Sequence, residues 1–292
     1  MRIFPIIALA LAGGSALAAW GLTRPAPLDA ADVEGLSGDA DRGETVFAAA
    51  GCGSCHADPD SEGEARLVLS GGYRMDTPFG TFVAPNVSPD PEHGIGDWSL
   101  AQFASAVMRG VSPDGRHYYP SFPYASYAKM EPQDVADLKA YMDTLPRSEA
   151  ENAPHELSFP YSLRAGVGAW KALHLSEDWV LQEAGSPDLE RGRYLVEALG
   201  HCAECHTPRD ATGGLDTENW MAGAPNPSGE GRIPAITPDE LGWSAEEIAW
   251  YLESGFTPDY DSAGGTMAKV VENTEKLAAE DREAIAAYLL AL

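Results

Sequence analysis

Cysteine and basic residues are both scarce in this chain. Its 292 residues hold four cysteines, and Lys plus Arg number 19 against 45 for Asp plus Glu, a net charge of −26. So few cysteines, all lying in two short motifs, leave none for a disulfide framework. So acidic a chain repels phosphate backbones, which argues against nucleic acid as a partner and suits a basic docking surface. Strand signals are also sparse, whereas Pro, Gly and Asp crowd 57–97 and 207–242, so the expected fold is mostly α with long loops. One long apolar run exists. From Ile3 to Thr23 there is no charge, with Arg2 and Arg24 at its ends. Its 21 uncharged residues suffice to cross a bilayer with Trp20 at the interface, and Ala16-Leu17-Ala18 would suit a cleavage site. Either way the body of the protein is expected outside the cytoplasm.

What the chain does contain is a duplication. "GCGSCH" at 51–56 and "GHCAECH" at 200–206 each hold a Cys-x-x-Cys-His, and each follows an Arg-Gly pair, Arg42-Gly43 or Arg191-Gly192. The spacing from that arginine to the first cysteine is ten residues in one copy and eleven in the other. Residues 84–110 match 233–255, with Trp98-Ser99 aligned on Trp243-Ser244. Ser99 and Ser244 are expected N-caps of helices that turn Phe103, Ala106 and Val107, or Ile248, Tyr251 and Leu252, inward. Each half closes on a helix, 131–146 and 278–292, with Leu138 and Tyr141 in register with Ile285 and Tyr288. A period of this length is a domain duplication rather than a solenoid. The expected division is an N-terminal apolar helix at 1–25, a tether at 26–38, domains at 39–147 and 188–292, and a connector at 148–187. The connector should hold a helix near Leu163 to Leu173 and pack through Trp170 and Trp179.

Two cysteines three apart lie on one face of a helical turn, where their sulfurs can form thioethers with the vinyl groups of haem. The histidine that follows then meets the iron. Two covalently attached haem c groups are therefore expected, on Cys52, Cys55, Cys202 and Cys205, with His56 and His206 as proximal ligands. Structural zinc fits poorly, because Cys55 and Cys202 are 147 positions apart. A thioredoxin-like pair fits no better, since no βαβ pattern surrounds either motif.

The sixth iron position divides electron transfer from catalysis. In the second half Met267 stands in the Gly-rich stretch "DSAGGTMAK" ahead of the closing helix, as an axial ligand should; Met221 comes too soon after the motif and reads as wall. In the first half Phe122 stands roughly where a ligand is sought, and phenylalanine binds no iron. Met130 is the nearest thioether and the expected ligand, with His117 as competitor; Met75, Met108 and Met142 read as packing residues.

The stretch from Thr77 to Met130 and "LGHCAECHTPRDATGGLD" resemble the cytochrome c subunits of bacterial membrane-bound dehydrogenases serving alcohol, gluconate and aldehyde oxidation. The likeness covers about 40–292. It implies two tandem class I cytochrome c domains with long loops, and electrons passed from a periplasmic dehydrogenase or respiratory donor to a downstream cytochrome or terminal oxidase. It also favours retention of residues 3–23 as an anchor on the periplasmic side of the bacterial inner membrane, the alternative being a soluble periplasmic protein after cleavage. Many members carry Met-Pro-Tyr where this chain has Phe122-Pro123-Tyr124, while others pair the phenylalanine with a methionine at the place of Met130. Those subunits usually have three haem motifs, and this chain has two. The expected protein is an electron carrier, not an enzyme. The alternative is a haem enzyme, a peroxidase or sulfur-compound dehydrogenase, with an open first haem; a gas sensor would need a signalling domain that the sequence does not hold.

Overall fold

The computed structural model describes residues 20–227, 229 and 231–292. The first helical unit runs through α1 (Ala40–Ala49), α2 (Cys52–His56), α3 (Leu100–Arg109), α4 (Tyr124–Tyr127) and α5 (Pro132–Met142). A connector helix, α6 (Ala165–His174), leads to the second unit: α7 (Pro187–Arg193), α8 (Ala203–His206), α9 (Pro238–Leu241), α10 (Ala245–Ser254), α11 (Gly265–Thr274) and α12 (Ala279–Leu290).

In each unit the first helix crosses the last at a glycine. A Cβ on Gly43 would fall 2.0 Å from the Asp137 carbonyl and 2.8 Å from the Tyr141 Cβ. On Gly192 it would fall 2.0 Å from the Ala284 carbonyl and 2.9 Å from the Tyr288 Cβ. Only a residue without a side chain allows backbones this close, which is why an Arg-Gly pair opens both repeats. The arginines sit on the same crossings: Arg42 Nε donates to Asp137 at 2.7 Å, and Arg191 Nε to Asp281 at 2.7 Å.

The middle helices are capped as expected. Ser99 Oγ accepts from the Gln102 amide while Gln102 returns a bond to the Ser99 amide, and Ser244 and Glu247 form the same reciprocal box. Phe103, Ala106, Val107, Ile248 and Leu252 are buried, and Tyr251 is half-buried against Trp243. The connector is packed. Trp170 meets Tyr124, Lys171 donates to the Arg109 and Gly110 carbonyls that end α3, and Trp179 lies against Tyr194.

Three departures from the sequence reading appear. First, β1 (Arg74–Thr77) and β2 (Gly80–Val83) form a hairpin that β3 (Glu156–Leu157) extends, and β4 (Ala224–Pro225) pairs with β5 (Arg232–Ile233). These strands are short and mostly half-exposed, so they carry little apolar alternation to betray them. Second, Met267 lies in the first turn of its own helix, α11, rather than in an open loop. Third, the expected N-terminal apolar helix and its anchoring role fall on residues of which 1–19 lie outside the described residues. No helix among the described residues is long and apolar enough to cross a membrane. Thr23, at the end of that run, docks on the first unit by accepting from His117 Nε2 at 2.9 Å.

Candidate haem sites

Each Cys-x-x-Cys-His forms a short helix entered through a left-handed residue. Gly51 (φ 62°) precedes α2, and His201 (φ 41°) holds the same place before Cys202. The first peptide of each turn closes alike, Ser54 N–H on the Gly51 carbonyl at 3.0 Å and Glu204 N–H on the His201 carbonyl at 2.9 Å. This sets the two cysteines and the histidine on one short stretch of helix, with Cys52 and Cys202 both packed on the buried core.

The histidines are prepared as ligands. His56 Nδ1 lies 2.9 Å from the Pro85 carbonyl, and His206 Nδ1 lies 2.8 Å from the Pro234 carbonyl. A carbonyl only accepts, so in each ring Nδ1 carries the hydrogen and Nε2 is left with a free lone pair. Burial lowers the pKa of both rings, which favours the neutral, metal-binding form. Their backbone carbonyls are fixed too, accepting from Gly71 N–H at 2.8 Å and Gly223 N–H at 2.7 Å.

Burial pushes the Cys52 and Cys202 thiols up to about 12. Paired sulfurs on one short turn beside a histidine of fixed tautomer fit thioether attachment of haem c, for which His56 and His206 would supply the proximal nitrogen.

On the opposite side the repeat can be read residue by residue. Tyr118 N–H meets the Gly110 carbonyl at 2.7 Å, and Ala263 N–H meets the Gly255 carbonyl at 2.7 Å. Four residues on, Phe122 N–H bonds to Tyr119 and Met267 N–H to Gly264. Met130 is buried immediately before the N-cap of α5, the position that Leu277 holds before α12. Met221 matches Leu69: both are fully buried, and their carbonyls accept from Ile236 and Val87 at corresponding places. Met108 and Met142 are core residues of α3 and α5, and Met75 lies on β1. His117 turns its Nε2 to the N-terminal segment.

The sequence reading missed four participants. Pro85 and Pro234 were visible as aligned prolines, 29 and 28 residues after their histidines, but nothing local marked their carbonyls as acceptors. His201 and Asn273 gave no signal, because their partners lie in the other unit: the His201 ring meets the Tyr127 ring edge to face at 5.7 Å, and Asn273 Nδ2 donates to Ser54 Oγ at 2.8 Å.

Two mostly helical units with paired cysteines and a preset histidine define a c-type cytochrome with two haems. Residues 40–146 match the family model of cytochrome c, and residues 187–289 that of cytochrome c oxidase, cbb3-type, subunit III. The chain is 60% identical over 283 residues to a protein of Cereibacter sphaeroides described as diheme cytochrome c-type, covering 97% of this chain and 95% of that one. It therefore belongs to the di-haem c-type cytochromes and carries two haem c groups. It is also 36% identical over 256 residues to the fructose dehydrogenase cytochrome subunit of Gluconobacter japonicus, and 32% identical over 269 residues to the cytochrome c subunit of a quinone alcohol dehydrogenase of Gluconobacter oxydans. Each match covers 85% of this chain but only 51% and 53% of those subunits, about half their length. Electron transfer is the activity common to this class.

Proposed function

We propose that this chain is a periplasmic electron carrier that receives electrons from a dehydrogenase or respiratory donor and delivers them to a downstream cytochrome or terminal oxidase. The observation that carries the reading is the pair of histidines whose Nδ1 atoms are engaged by Pro85 and Pro234, leaving Nε2 as a rigid proximal ligand in both units. Met267 in the second unit and Met130 in the first supply the sixth ligands. Six-coordinate His/Met ligation raises the potential and leaves no position for a substrate, so the chain performs no substrate chemistry of its own. The names of the fructose and alcohol dehydrogenase subunits support a dehydrogenase as donor, and the net charge of −26 suits a basic docking face on the partner. The membrane attachment expected of residues 3–23 stays an alternative to a soluble periplasmic form.

A second reading is favoured by one residue. Phe122 sits in the register of Met267, so a first haem that Met130 failed to reach would have an open position and could act on peroxide. One experiment divides the two. The oxidised holoprotein is mixed with cyanide and, separately, with peroxide; a carrier is inert to both. Rapid cyanide binding at one haem with peroxide turnover would establish the enzyme instead.

A further inference from the structure

We propose that His201 is a positioning residue that holds the two haem-attachment turns against each other, so that an electron passes from one haem to the other inside a single chain. The inference rests on the carrier reading above and adds to it the contact that joins the two centres.

Its origin lies in one residue of chain length. The second repeat takes eleven residues from Arg191 to Cys202 where the first takes ten from Arg42 to Cys52. The extra residue is absorbed as a π-turn, Tyr194–Leu199, closed by Gly200 N–H on the Leu195 carbonyl. Such turns cluster at functional sites. The turn delivers His201 in a left-handed conformation, φ 41°, where the first repeat uses Gly51 at φ 62°. A histidine held in that region is strained unless its surroundings hold it there, and strain of this kind collects at functional sites.

What holds it is the other unit. The His201 ring stands 5.7 Å from the Tyr127 ring, edge to face. Tyr127 Oη donates to the Ala50 carbonyl at 2.9 Å. Ala50 is two residues before Cys52, and His201 is one before Cys202. The ring contact of His201 with Tyr127 and the bond from Tyr127 to Ala50 thus bridge the two attachment turns, with Ala50 and Tyr127 buried from solvent.

A second strap keeps the faces in place. Helix α11 lays three residues across the first unit: Asn273 on Ser54, which lies between Cys52 and Cys55; Glu272 on Arg66; and Lys269 over the Tyr73 ring at 4.9 Å. In the step itself one iron is oxidised and the other reduced by the same electron. No bond is made or broken.

The test uses the two-haem holoprotein and its His201→Gly variant, which adopts the residue that the first repeat already tolerates. After rapid photoreduction of one haem, wild-type protein should equilibrate its haems at a rate independent of protein concentration. His201→Gly should slow this by about tenfold, as loss of a positioning contact does, with the spectra and midpoint potentials of both haems unchanged. An unchanged rate overturns the proposal. So does slowing accompanied by an altered spectrum or potential, because His201 would then support a haem site rather than the approach of two. Tyr127→Phe keeps the ring and removes the bond to Ala50, and should slow exchange less than His201→Gly; an equal or larger slowing also overturns it. Failure of the carrier reading is seen separately, as cyanide binding in the wild type.

Discussion

Phe122 and Met267 occupy the same place in the two halves of the molecule, each four residues beyond an N–H that closes on the glycine ending the preceding helix. The position carries a sulfur in the second unit and a phenyl ring in the first. Under the proposed ligation the first unit takes its thioether from Met130, whose counterpart Leu277 is a core residue.

Axial ligation is therefore testable by exchange. Ferric haem bound by methionine sulfur shows a weak far-red absorption that water, hydroxide or a second histidine does not confer. Met267→Ala and Met130→Ala should each remove about half of it, as two like sites share a signal. Phe122→Met in the Met130→Ala background should restore the lost half. If Met130→Ala leaves the absorption intact, Met130 is a packing residue as Leu277 is, and the first haem is ligated otherwise.

The glycine crossings set fold stability. Gly43→Ala and Gly192→Ala each drive a methyl carbon to 2.0 Å from a carbonyl oxygen on the facing helix, so the helices must separate. Each should cost about 1–3 kcal/mol, the range for overpacking a tight core. Thermal unfolding of the holoprotein, followed by circular dichroism, measures it; an unchanged midpoint for both variants would show that the crossing relaxes freely.

Asp137 should make stability depend on acid. Burial pushes its carboxyl up, yet the bonds from Arg42, the Asp39 amide and Gln133 outweigh this and hold it below the usual aspartate range. A depressed folded value means stability that is full above the unfolded value, about pH 4, and is lost as pH falls through the lower folded value. Denaturation midpoints should drop over that window, and Asp137→Asn should flatten the drop while lowering stability at neutral pH. A variant with the wild-type acid profile would remove Asp137 from the account.

The fate of residues 3–23 is testable by fractionation. Retention as an anchor predicts recovery in the membrane fraction with an N-terminus upstream of the run; a soluble periplasmic protein beginning at Ala19 points to cleavage. Sequencing the mature N-terminus from each fraction separates them.

The amino-acid sequence by itself determined the chemistry and the local structure. Cys52, Cys55 and His56 read as a haem anchor by spacing alone, because three adjacent functions must share one helical turn. Ser99 and Ser244 cap their helices through bonds three residues away, and the inward faces of those helices follow from a period of 3.6. Met267 was legible as a candidate for the same reason, a sulfur at a fixed distance from a recognisable helix. The rest depended on atoms brought together from far along the chain. Pro85 and Pro234 choose the histidine tautomer across 29 and 28 residues, and Asn273 reaches Ser54 across 219. The one-residue surplus before Cys202 was visible as a count, but not that the backbone would take it up as a π-turn and press His201 onto the other unit. Local spacing is enforced by helix geometry and can be read directly, whereas long-range contacts depend on how two finished surfaces meet, and that meeting was settled only in the folded chain.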